Sequence, residues 1–176
     1  MFMESALYSS EFFLKRKYTE RNAAADLAAC IRVLVEQKAV VLCIGSDKSV
    51  CDCFGPMVGR YLKEASSLCV YGTLDETVNA MNAGYFIDKI KYKYPDKSLI
   101  VVSSASGEEK QKGEICVKNS PFFLFDQVRE KPRAVGNICI TGITRIAGAD
   151  GEKETRLSHV CEMASTLAKA LELALD

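Results

Sequence analysis

Over residues 22–37 the apolar side chains Ala24, Leu27, Ile31 and Leu34 recur at helical spacing, which predicts an amphipathic helix. The next apolar run, AVVLCI at 39–44, is short, rich in β-branched residues and closed by Gly45, as a buried strand entering a loop would be. Gly55-Pro56 then opens a second helix, because the missing N–H of proline costs nothing in a first turn, and Val58, Tyr61 and Leu62 supply its inner face. A strand at 68–73 (LCVYGT) follows. Val78, Met81 and Tyr85 line one side of a helix predicted at 76–92 and stopped before Pro95, and SLIVVS at 98–103 is a third buried strand.

Alternating strands and helices of this kind predict an α/β domain with a largely parallel sheet covered on both faces. The second half has a different rhythm. Strands are expected at 113–118 and 136–144, and SPFFLFDQVREKPRA between them reads as a short helix or an ordered loop. Leu157, Val160, Ala164, Leu167, Leu171 and Leu175 then step by three and four through a closing helix. Residues 1–21, FFLKRKYTER included, show no clean period and are expected to form an arm or short helix lying on a single domain of residues 1–176.

Composition narrows the partners. Lys+Arg and Asp+Glu are both 23, so no global field recruits nucleic acid or an anionic membrane. The start, MFMESALYSS, lacks the basic stretch of a secretory signal, and no apolar run is long enough for a membrane helix, so a cytoplasmic protein is expected. Most of the eight cysteines lie inside apolar runs such as VVLCIG and GNICITG, where a reduced thiol behaves as a small core hydrophobe.

Open α/β sheets place ligands beyond the carboxyl ends of their strands. Three segments are predicted there: GSDKSVCDCFG at 45–55, TLDE at 73–76 and SSASG at 103–107. Asp52 precedes the second helix and is readable as a capping acid or as a catalytic or metal-binding carboxylate. Asp47 is readable as a turn former. Thr73, Asp75, Glu76 and Ser104 are candidate substrate contacts.

The segment VVLCIGSDKSVCDCFGPMVGRYL, followed by VYGTLDETVNAMN, GNICITGIT and TRLSHVCEMASTLAKAL, resembles the YyaC-like sporulation proteins in one collinear order from about residue 12 to the end. That family is similar in fold to the germination protease of endospore formers and to the hydrogenase maturation endopeptidases. The resemblance implies a three-layer α/β/α fold, phosphorylase/hydrolase-like, around a mixed, mostly parallel sheet. It also implies a peptidase acting on a protein or peptide substrate. In those relatives one acid stands three residues before the glycine that opens the helix, the place of Asp52, and a second ends the following core strand, the place of Ser103.

Serine there changes the chemistry, because two carboxylates can divide the roles of base and acid and a serine hydroxyl cannot take a share at neutral pH. An acid such as Asp47, Asp75 or Glu76 could substitute if the fold brings it near Asp52. A metal site finds weak support: the single histidine, His159, lies beside the stripe of the closing helix, and Cys51-x-Cys53 offers two thiols where a structural zinc needs four ligands. No Gly-x-Ser-x-Gly elbow or P-loop spacing is present, and no cofactor is expected. Two readings stay open: a peptidase centred on Asp52, and a protease-like binding or regulatory protein without turnover. Oligomeric state is not readable from the residues.

Overall fold

The computed structural model describes residues 13–125, 132–147 and 153–176. Its elements are β1 (Leu14–Lys17), α1 (Ala23–Leu34), β2 (Ala39–Cys43), α2 (Phe54–Ala65), β3 (Cys69–Tyr71), α3 (Ala83–Lys93), β4 (Ser98–Gly107), β5 (Glu114–Lys118), β6 (Phe122–Leu124), β7 (Arg133–Val135), β8 (Ile138–Ile146), β9 (Lys153–Glu154) and α4 (Leu157–Leu175). The main sheet has the order β1-β5-β8-β4-β2-β3, with β9 on β8. The four strands β8, β4, β2 and β3 run parallel, and β1, β5 and β9 add antiparallel pairings. The fold is therefore α/β with a mixed, mostly parallel sheet, as expected.

Strand alternation divides the core in two. Val41, Cys43, Ile100 and Val102 point into one cluster with Leu27 and Ile31 of α1, Phe54 and Val58 of α2, and Leu167 and Leu171 of α4. Val40, Leu42, Leu99 and Val101 point into the other, with Phe86, Ile87 and Ile90 of α3 and Phe122 and Val135 of the β6–β7 hairpin. Both faces are thus covered, which is why the inner strands read as continuous apolar runs rather than alternating ones. No helix among the described residues is long and apolar enough to cross a membrane.

Glycines let α2 press onto the strand ends. A Cβ on Gly55 would lie 2.4 Å from the Ile44 carbonyl oxygen, and one on Gly59, a helical turn later, 2.0 Å from that of Gly72. Gly72 itself has φ +86° and sits against the Cys43 carbonyl. No side chain fits between this helix and the backbone beneath it.

Four local expectations are corrected. The described part of the arm is not helical: β1 pairs antiparallel with β5 from Leu14↔Val117 to Lys17↔Glu114, and residues 1–12 lie outside the described residues. The helix expected at 76–92 begins only at Ala83. Val78 is drawn into a bridge with Ile44, and the Asn79 and Asn82 side chains take the backbone N–H groups of Met81 and Asn79, holding the intervening residues in turns. SSASG is not a loop but the last five residues of β4, paired to β8 throughout. The segment expected as a helix or loop carries β6 and β7, which pair as Phe122↔Val135 to Leu124↔Arg133, with residues 126–131 outside the described residues.

Candidate functional site

The loop between β2 and α2 folds back on itself before it meets the sheet. Ser46 N donates to the Asp52 carbonyl at 3.0 Å, and the N–H groups of Asp52 and Cys53 both donate to the Ser49 carbonyl at 3.1 Å. Gly45 is required because a Cβ there would stand 2.1 Å from the Asp52 carbonyl oxygen. Two reciprocal bonds pin the loop to β8: the Thr144 hydroxyl donates to the Cys51 carbonyl at 2.8 Å, and the Cys51 thiol to the Thr144 carbonyl at 3.3 Å. Burial pushes the neighbouring Cys53 thiol up to about 11, so it stays protonated at neutral pH.

Asp52 thereby reaches the carboxyl edge where β4 and β8 lie side by side. Its Oδ1 accepts from the Arg145 guanidinium at 3.2 Å and, more weakly, from the Ser104 hydroxyl at 3.5 Å. The N-cap of α2 is Cys53, without a side-chain cap bond, so the carboxylate is directed across the sheet edge rather than into a cap. Asp52, Ser104, Ala105, Ser106, Thr144 and Arg145 enclose a niche of about 10 Å³, the room one water occupies.

A β-bulge makes this grouping possible. The β4–β8 register runs Ser104↔Gly142 and Ala105↔Ile143 and then jumps to Ser106↔Arg145, leaving Thr144 as the extra residue. Consecutive residues of a regular strand face opposite sides, yet Thr144 and Arg145 both contact the Cys51–Asp52 segment. Beneath them Gly142 leaves space for the buried Phe54 ring, which a Cβ would approach to 2.7 Å.

The other sequence-predicted residues fall as follows. Ser104 meets Asp52, whereas Ser103, one step along a regular stretch of β4, faces the α3 side. Its residue is 5% exposed, and its hydroxyl has no partner among the described residues. Thr73 and Glu76 close a turn after β3, Thr73 N donating to the Glu76 carbonyl at 3.0 Å and Glu76 N to the Thr73 hydroxyl at 3.2 Å. Asp75 pairs with Arg60 of α2 at 2.7 Å, and Asp47 is exposed on the loop. None of these acids is hydrogen-bonded to Asp52 among the described residues. No group of three or more His, Cys, Asp or Glu is placed to hold a metal among the described residues.

Arg145 and Thr144 were not anticipated. The signal was available in ICITGITRI, an apolar strand ending in a polar pair. It could be used only once β8 was known to run parallel to β4, with its carboxyl end at the same edge.

An α/β sheet with a carboxylate–guanidinium pair at its carboxyl edge is an architecture that hosts many activities and names none of them by itself. The chain belongs to the family described as "Protein of unknown function (DUF1256)", whose profile matches residues 15–170. It is similar to the "Uncharacterized protein YyaC" of Bacillus subtilis (strain 168), with 31% identity over 181 residues that cover 97% of this chain and 88% of the relative.

Proposed function

We propose that the chain is a spore-protease-like peptidase in which Asp52 activates water against a peptide bond. The observation that carries this reading is the niche itself: a carboxylate, room for one water, a hydroxyl and a guanidinium meet at a strand's carboxyl end. Asp52 takes a proton from the water as its oxygen attacks the peptide carbonyl. Arg145 offers N–H donors to the oxyanion that forms. The proton then passes from Asp52 to the departing amine, and the products are a carboxylic acid and an amine. One carboxylate must act as base and then as acid, with no second carboxylate bonded beside it among the described residues to divide the work. Sporulation as the setting, and a small spore protein as substrate, follow from the resemblance to the spore proteases.

Serine at position 103, the place of the second acid, and a serine hydroxyl, that of Ser104, as the neighbour of Asp52 favour an alternative, a protein that holds a peptide in this cleft without cutting it. Wild type and Asp52→Asn are compared on small spore proteins and unfolded peptides by mass spectrometry, with and without added nickel, zinc and manganese. Cleavage that falls roughly a hundredfold or more in Asp52→Asn supports the peptidase. Absence of cleavage under every condition, with peptide binding that Asp52→Asn weakens, overturns it in favour of the binding protein.

A further inference from the structure

On the same face of the sheet as α1 and α4, but over β5 and β1 rather than β4, lies a cavity of about 270 Å³. Its lining has three parts. Tyr18 and the buried Met163 give an apolar wall and floor. Thr155 and His159, from the start of α4, give polar groups whose Oγ1 and Nδ1 lie 3.5 Å apart. Lys17 and Lys112, each ending in an ammonium group, complete it, and no acid belongs to the lining among the described residues. Among the described residues neither ammonium is within ion-pair distance of a carboxylate. Three acids stand close by but outside the lining: Glu162, whose charge acts on the Tyr18 phenol, Glu20, whose Oε1 accepts from Lys17 N at 2.9 Å, and Glu114, paired with Lys17 across the strands.

The cavity is held open by backbone already committed. Gly113 N donates to the Ile143 carbonyl at 3.0 Å, and the Gly113 carbonyl accepts from Tyr18 N at 3.1 Å, tying the end of β1 through Gly113 to β8. Gly113 has φ +82°, and a Cβ on it would meet the Tyr18 ring at 2.9 Å. The ring therefore lies directly against the chain instead of filling the space. It stands 6.3 Å from the His159 ring, centroid to centroid, inclined at 38°. A buried hydroxyl, an imidazole, an aromatic wall and two ammonium-bearing residues, in a preformed concavity, are the elements that bind an anion carrying an apolar body.

We propose that this cavity is a second ligand site, for a small organic anion with a ring-sized apolar body and a phosphate or carboxylate head. The ring packs on Tyr18 and Met163, and the head takes hydrogen bonds from Thr155 and His159 within the field of Lys17 and Lys112. The site needs no turnover at Asp52, so failure of the hydrolytic reading leaves it standing.

The test is calorimetric titration of the full chain with phenyl phosphate, benzylammonium and inorganic phosphate as probes. Phenyl phosphate is expected to bind at least tenfold more tightly than either of the others. Lys17→Ala/Lys112→Ala is expected to weaken it about tenfold or more, and Lys17→Arg/Lys112→Arg to restore it. His159→Gln should weaken it too, with the far-ultraviolet circular dichroism of the fold unchanged. Equal affinity for benzylammonium, or unchanged phenyl phosphate affinity in Lys17→Ala/Lys112→Ala, overturns the proposal. So does inorganic phosphate binding as tightly as phenyl phosphate.

Discussion

Helix propensity and the close seat of α2 make opposite predictions for one substitution, Gly59→Ala. In an isolated helix the change favours folding by about 1 kcal/mol. Here the added methyl would lie 2.0 Å from the Gly72 carbonyl oxygen, 3.0 Å from its carbon and 3.4 Å from the Cys43 Cβ. An ordinary non-bonded contact is roughly 3.5 Å, so backbone must separate by about 1.5 Å, and overpacking of that kind costs about 3 kcal/mol where no side chain can yield. The net expectation is a loss of about 2 kcal/mol, a fall in Tm of roughly 4–8 °C for a chain of this size. Gly84→Ala is the internal control, since nothing lies within 4 Å of a Cβ at that position in α3. It should be neutral or stabilising, by about 0.5 kcal/mol. Urea unfolding of the three proteins measures both. A Gly59→Ala protein as stable as wild type would refute the claim that α2 is seated by backbone contact.

Two further outcomes follow from the buried groups. Burial pushes the thiols of Cys116 and Cys139 up to about 12, well above an unfolded thiol, so the folded state holds protons that the unfolded state releases. Stability is full below the unfolded value and falls as pH rises, by about 1.4 kcal/mol per unit for each thiol. The urea midpoint should therefore drop between roughly pH 9 and pH 10, and Cys116→Ala/Cys139→Ala should flatten that slope; an unchanged slope assigns it to other groups. For the Asp52–Arg145 pair, with side chains 20% and 16% exposed, a double-mutant cycle with Asp52→Asn and Arg145→Gln should give a coupling of about 1–2 kcal/mol. Coupling below about 0.5 kcal/mol would mean that the contact does not orient the carboxylate.

Periodicity was enough for most of the layers. The runs at 39–44 and 98–103 and the closing stripe from Val160 to Leu171 are β2, the start of β4 and α4. It failed where side chains compete with the backbone, as Asn79 and Asn82 do, and where pairing partners are distant in sequence, as for β1 on β5. The carboxyl-edge rule brought Asp52 and Ser104 forward from sequence alone. It stopped short of Arg145, because which end of β8 meets β4 is a property of the assembled sheet. The placing of Ser103 and Ser104 on opposite faces depended likewise on knowing that β4 continues as a strand through Gly107.

The extra residue in β8 gives the candidate site a dependence on counting as well as on chemistry. Removing Thr144 would restore strict alternation and keep Arg145 opposite Ser106, on the face of Gly142 and Ser104, but the two bonds between Thr144 and Cys51 would be lost. The sheet and the guanidinium could be inherited intact while the loop that carries the carboxylate lost its anchor on β8 through a single-codon deletion. A scaffold built this way can loosen or tighten its carboxylate in one step while the charged partner stays in place.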